Sequence, residues 1–188
     1  MRKTTTDKKS QKSSSAMSST ATLRANARRK IEEGALTAGY AANRDQVVEM
    51  LNDALATEIV CMLRYKRHYF MATGVHAESV AAEFLEHAEQ EQEHADAIAK
   101  RIVQLGGEPD FSPDTLTKRS HAEYVPGKTL QDMVKEDLIA ERIAIDSYRE
   151  MIEVIGNDDT TTRRMIEWIL AVEEEHADDL ASLLDSAR

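Results

Sequence analysis

The chain has 188 residues, 41% apolar and 31% charged, with only seven Gly and three Pro, which points to one domain, with room for a tail, built of long helices. Cys61 is the sole cysteine, so an internal disulfide is excluded and a reducing, cytoplasmic compartment is expected. No run approaches the roughly 18 apolar residues of a membrane span, and the basic start lacks the apolar stretch of a secretory signal.

The net charge of −10 is unevenly spread. Residues 1–44 carry ten Lys/Arg against three Asp/Glu, and residues 45–188 carry 14 against 31. The change falls where Ser/Thr-rich, low-complexity sequence gives way to helical periodicity. It predicts a basic N-terminal tail over 1–44, expected to be disordered, and a helical domain over 45–188.

Within the domain the first predicted helix runs from about Asp45 to Ala72. Val47, Val48, Leu51, Leu55, Ile59, Met62 and Leu63 form its apolar stripe, and Gly74 breaks it. The second runs from about Glu78 to Leu105 and stops at Gly106-Gly107, a helix-ending signal. All three prolines (Pro109, Pro113 and Pro126) fall in the next stretch, about residues 107–128, which is too long for a tight hairpin. The third helix is expected over about Leu130–Ile155, closed by Gly156-Asn157. The fourth follows from a cap among Thr160–Thr162 to about Leu184. Two short turns flanking one long crossover predict an all-α, up-down-down-up four-helix bundle. Helices of about 28 residues would be roughly 42 Å long.

The chemistry lies in a repeat. Glu91-Gln-Glu-His94-Ala-Asp returns as Glu173-Glu-Glu-His176-Ala-Asp. Residues three apart share a helix face, so each copy can aim one carboxylate and one imidazole at a common point. The repeat extends upstream: Glu58 precedes Glu91 by 33 residues and Glu141 precedes Glu173 by 32, with Tyr65 and Tyr148 each seven residues after their Glu. Two helix pairs, each giving a lone Glu and then a Glu-x-x-His, match the pattern of carboxylate-bridged dinuclear bundles. Glu58 sits amid Leu55, Ile59 and Met62, and Glu141 amid Leu138, Ile143 and Ile145. A carboxylate on such a face needs a cation or a metal. Singly, each Glu would read as a solvated helix residue and each His as a surface histidine; the doubled spacing selects the ligand reading. Glu93 and Glu175, adjacent to the histidines, should point away.

These residues, with Arg101-Ile-Val-Gln-Leu-Gly-Gly and Asp137-Leu-Ile-Ala-Glu141, resemble the ferritin-like superfamily over about residues 45–186. The chain looks most like bacterioferritins and Dps-like proteins with a bacterioferritin-type site. The resemblance implies two Fe per subunit: Glu58 and His94 serving one, Glu141 and His176 the other, Glu91 and Glu173 bridging. It implies a ferroxidase that oxidises Fe(II) with O2 or H2O2 and stores ferric iron inside a homo-oligomeric shell. Asp137, one turn before Glu141, resembles the partner of a ligand histidine. Tyr65 resembles an electron donor or hydrogen bonder near the site, and reads equally well as a core aromatic.

Two departures from the family pattern shape the expectations. Haem-binding bacterioferritins place a Met where this chain has Gln92, and an amide is a poor haem ligand, so no haem is expected. Only 12 residues follow His176, too few for the fifth helix of 24-subunit ferritins, which favours a dodecamer.

Manganese catalase, rubrerythrin and hydroxylase-type proteins use similar ligands. No Cys-x-x-Cys module argues for rubrerythrin, while the choice between iron and manganese stays open, as does a metal-free helical interaction protein. Arg2, Lys3, Lys8, Lys9 and Lys12, and then Arg24, Arg28, Arg29 and Lys30, suit non-specific binding of DNA phosphates in the manner of Dps tails. That would make the protein nucleoid-associated. A solubilising tail and an organelle transit peptide remain the alternatives.

Overall fold

The computed structural model describes residues 17–74 and 77–186. Among them lie α1 (Thr20–Asn26), a 3-10 turn (Ile31–Glu33), α2 (Arg44–Met71), α3 (Ala77–Gln104), α4 (Leu116–Arg119), α5 (Leu130–Ile155) and α6 (Thr160–Ser186). The four long helices start or stop within about two residues of their sequence-based bounds. Asn43 caps α2 by accepting from the Gln46 backbone N–H. Past α3, the Gly107 and Gly106 N–H groups return to Ile102 and Val103 carbonyls, with Gly106 at φ 73, a left-handed conformation that glycine adopts without penalty. Thr129 and Asp132 form a reciprocal capping box on α5.

One cap differs from expectation. Asp159, not Thr160–Thr162, starts α6: its Oδ1 accepts from the Thr162 N–H at 2.9 Å, and Thr162 Oγ1 donates to its Oδ2 at 2.6 Å. An ionised carboxylate at a helix N-terminus also meets the positive end of the macrodipole, which a hydroxyl does not.

The bundle packs α2 against α3 and α5 against α6, with α2 also touching α5 and α3 touching α6. Late α2 meets the first half of α5 through His68 and Asp137, and late α3 meets early α6 through Arg101 and Thr162. Neighbours are therefore antiparallel, the up-down-down-up order.

The crossover of residues 107–129 lies along α2. Arg119 donates to the Asn52 carbonyl, Asn52 bonds both Glu108 and Asp110, and the His121 N–H reaches Thr57 Oγ1.

The core has two large apolar parts. One gathers Leu51, Leu55, Ile98, Ile102, Ile166 and Ile169; the other gathers Tyr65, Val80, Phe84, Met133, Val134 and Leu180. Along every long helix the residues between these parts are Glu58 on α2, Glu91 and His94 on α3, Glu141 on α5, and Glu173 and His176 on α6, all buried. A polar layer thus crosses the middle of the bundle.

Residues 17–44 carry more structure than a featureless tail. Leu36, Tyr40 and Ala42 pack against the larger apolar part, and the Tyr40 hydroxyl donates to Asp159 Oδ2 at 2.9 Å. The first basic cluster, Arg2 to Lys12, lies outside the described residues. In the second, Arg24, Arg28, Arg29 and Lys30 are exposed.

Candidate dinuclear metal centre

The buried layer resolves into two groups whose donor atoms lie within 4.8 Å of one another: Glu58, Glu91, His94 and Glu173, and Glu91, Glu141, Glu173 and His176. Glu91 and Glu173 belong to both. His94 Nδ1 lies 3.2 Å from Glu58 Oε2, 3.0 Å from Glu173 Oε1 and 3.8 Å from Glu91 Oε2. His176 Nδ1 lies 3.3 Å from Glu173 Oε2 and 3.9 Å from both Glu91 Oε1 and Glu141 Oε2. All six residues singled out from the spacing converge, and each is at most 1% exposed. Glu93 and Glu175 face solvent, as adjacency to the histidines requires on a helix.

Four carboxylates in so small a buried volume are costly without cations. Burial, then the Glu91 and Glu173 carboxylates, pushes Glu58 well above the usual carboxylate range. Burial, then Glu91 and Glu141, pushes Glu173 up to about 8. Burial would raise Glu141 too, but contacts with His176, Glu173 and Tyr65 hold it down at about 2. Burial disfavours charge on the histidines, yet the carboxylates override it. Glu173, Glu58 and Glu91 hold the His94 proton well above the imidazole range, and Glu141 and Glu173 raise His176 to about 10.

Protons here stand in for cations. Glu91 Oε1, Glu141 Oε2, both Glu173 oxygens and His176 Nδ1 make no well-aligned hydrogen bond, although buried. Glu173 Oε1, despite its 3.0 Å approach to His94, is out of line. Inward-facing orphan donors of O and N type fit two divalent ions, whose charge would balance the four carboxylates.

Orientation is fixed by groups that spacing alone did not reveal. His176 Nε2 donates to Gln90 Oε1 at 2.5 Å, which turns Nδ1 to the carboxylates, where its lone pair serves a metal once the proton leaves. Trp168 stands edge-on to His94, with ring centroids 5.1 Å apart. Replacing Gln90 with Leu should free the His176 ring and weaken metal binding about 10- to 100-fold. A metal titration of that variant checks it, with binding unchanged as the adverse result.

Asp137 corrects an expectation. The resemblance implies a partner for a ligand histidine there, but Asp137 Oδ1 accepts from Arg64 Nε and its Oδ2 pairs with His68 Nδ1, both at 2.7 Å. One turn before Glu141, it faces α2, while His94 and His176 come from α3 and α6. The Arg64–Asp137–His68 group instead ties α2 to α5 and to the crossover, because Arg64 also donates to the Glu123 carbonyl at 2.7 Å. Tyr65 does lie at the site. Its hydroxyl donates to Glu141 Oε1, and burial followed by the Glu141 and Asp137 charges raises its pKa well above normal. Tyr148, its counterpart in the second half, finds no partner for its buried hydroxyl.

His87 is the other residue missed. It stacks on His176 with ring centroids 4.0 Å apart and 20° between planes. Burial, then His176, lowers its pKa to about 4. Its position four residues before Glu91 and seven before His94 was legible as the same helix face.

Comparison with known proteins agrees with this fold. The family model for the ferritin-like domain matches residues 48–188. A bacterioferritin of Desulfovibrio desulfuricans is 28% identical over 141 residues, covering 72% of this chain and 75% of the relative. A nutrient stress-induced DNA-binding protein of Synechococcus is 30% identical over 144 residues, covering 74% and 81%. Among solved structures, the dodecameric thioferritin of Bacteroides fragilis, a bacterioferritin-related protein, superposes with a TM-score of 0.75 at 32% identity, covering 79% of this chain and 90% of that one. With its helical bundle and with a family match over three-quarters of its length, the chain belongs to the ferritin-like family, on the bacterioferritin and Dps-like side.

Proposed function

We propose that the protein is a ferroxidase that stores iron. The observation that carries this reading is the pair of overlapping donor groups sharing Glu91 and Glu173 in one buried layer. Glu58 and His94 hold one Fe(II), Glu141 and His176 hold the other, and Glu91 and Glu173 span both. Each Fe(II) gives up one electron; the two together reduce H2O2 to water or O2 to H2O2. The chain's own residues set the conditions. The carboxylates release their protons as the metals enter, Gln90 keeps Nδ1 of His176 available, and Tyr65 holds Glu141 in place by its hydroxyl.

Anaerobic Fe(II) titration of the full-length protein, followed by addition of O2 or H2O2, tests this reading. Two tightly bound irons per chain, oxidised faster than in buffer, are expected. Tight binding of Mn(II) without Fe(II) oxidation would favour a manganese enzyme instead.

Storage needs a closed shell. Leu63, Phe70 and Met71 on α2 and Val103 on α3 are large apolar residues left exposed on a single chain, which suits burial between subunits. A dodecamer is expected, and light scattering should give twelve chains of 21.1 kDa. A mass of 24 chains would return the protein to the bacterioferritin assembly, and a monomer would end the storage reading.

A second reading, DNA protection, is favoured by the exposed Arg24, Arg28, Arg29 and Lys30 beyond a domain that carries 14 Lys/Arg against 31 Asp/Glu. Bound through phosphates, DNA should be released steeply as salt rises, with little sequence preference. Deleting residues 1–30 removes nine of the ten basic residues of the segment but spares Leu36 and Tyr40. Gel shifts should disappear while iron oxidation continues; a truncated protein that still shifts DNA would refute the reading.

A further inference from the structure

We propose that Glu83, His87 and Asp179 form a third, mononuclear site for one divalent transition cation, beside the dinuclear centre on its solvent side. Their donor atoms lie within 4.8 Å of one another. Glu83 and His87 are one turn apart on α3, and Asp179 faces them from α6. The carboxylates are partly open, with side-chain exposures of 33% for Glu83 and 49% for Asp179, while His87 is buried at 2%.

Hydrogen-bond direction makes this cluster more than an acidic patch. The Tyr65 hydroxyl has one proton and gives it to Glu141. Its oxygen can then only accept from His87 Nδ1, 3.2 Å away. With the proton on Nδ1, the neutral imidazole presents the Nε2 lone pair on its other side.

That lone pair faces two more acceptors, Glu83 Oε1 at 3.6 Å and Asp179 Oδ2 at 4.0 Å, both beyond hydrogen-bond reach. Three acceptors converging with no donor between them among the described residues repel one another. A cation among them turns the repulsion into ligation. One imidazole and two carboxylates suit Fe(II), Co(II) or Zn(II), and three protein ligands leave positions for water. Stacking on His176 places this site next to the dinuclear centre, yet none of its three ligands belongs to that centre.

Equilibrium dialysis of the chelator-stripped, full-length protein against Co(II) under anaerobic conditions tests the site, with metal counted per chain. The double variant Glu83→Gln, Asp179→Asn alters only partly exposed side chains, so the bundle should fold and assemble as in the wild type. It should bind one Co(II) fewer per chain than wild type, and His87→Asn should lose the same one. Because the readout is a difference, it holds whatever number the dinuclear centre takes. Equal counts in wild type and the double variant would overturn the site.

Discussion

Replacing Glu91 with Ala is expected to abolish rapid Fe(II) oxidation, with a loss of at least about a hundredfold, beyond the 10- to 100-fold typical of groups that only orient ligands. Glu91 is one of two carboxylates common to both donor groups, so its loss weakens both metal positions together. The apoprotein should respond in the opposite sense. Glu91 is among the charges that push Glu58 and Glu173 upward, and its removal relieves repulsion in the buried layer. The variant without metal should therefore melt no lower than wild type. It should also lose the gain that metal confers, about 4 kcal/mol at a metal concentration near a thousand times Kd. Stopped-flow oxidation and melting with and without a redox-inert divalent ion check both halves. Wild-type kinetics, or a retained metal-dependent rise in Tm, would remove Glu91 from the centre.

Asp159→Ala should be strongly destabilising although it lies outside the metal centre. Asp159 accepts from Tyr40, from Arg101 Nη2 through both oxygens, and from the Thr162 backbone and hydroxyl. It joins the N-terminal segment, the end of α3 and the start of α6 in one knot. Truncation leaves Arg101, 8% exposed, without its counter-charge, a loss of about 3–5 kcal/mol for a broken buried pair. At roughly 2–4 °C per kcal/mol for a domain of this size, Tm should fall by about 6–20 °C. Asp159→Asn should fall between wild type and Ala, since it keeps the cap but loses the charge.

The same group sets an acid limit. Burial opposes ionisation, but the Thr162, Arg101 and Tyr40 contacts win and hold Asp159 below its usual pKa. A depressed folded-state pKa contributes stability that is present above the unfolded value, near 3.9, and is lost as pH falls through the folded one. Wild type should accordingly lose stability over that acid window more steeply than Asp159→Ala. Parallel pH-stability curves for the two proteins would contradict the assignment.

Much of the bundle was legible because its signals are local. The end of α5 at Gly156, for example, follows from turn chemistry within a few residues. The segment before α2 was not legible. Composition marks it as basic and low in complexity, but the bond that anchors it spans 119 residues, from Tyr40 to Asp159. No periodicity announces such a contact. The cap of α6 was misplaced for a related reason: Asp159 outranks its threonine neighbours once Arg101 arrives from α3 to share it.

That Glu91 and His94, and Glu173 and His176, share helix faces was determined by sequence alone. Glu-x-x-His is a statement about one helix face, and helix geometry carries it unchanged into the structure. The twin repeat then needs only antiparallel packing to converge. Tertiary structure alone decided which donors gained which partners. Asp137 was drawn to Arg64 and His68 rather than to a ligand histidine, Gln90 reached across to His176, and His87 was turned so that Nε2 meets Glu83 and Asp179. Each of these choices, apart from the His87–Glu83 turn, depends on how one helix is rotated and shifted against another. That is set by the packing of the two apolar parts on either side of the polar layer, and packing joins residues that no local spacing relates.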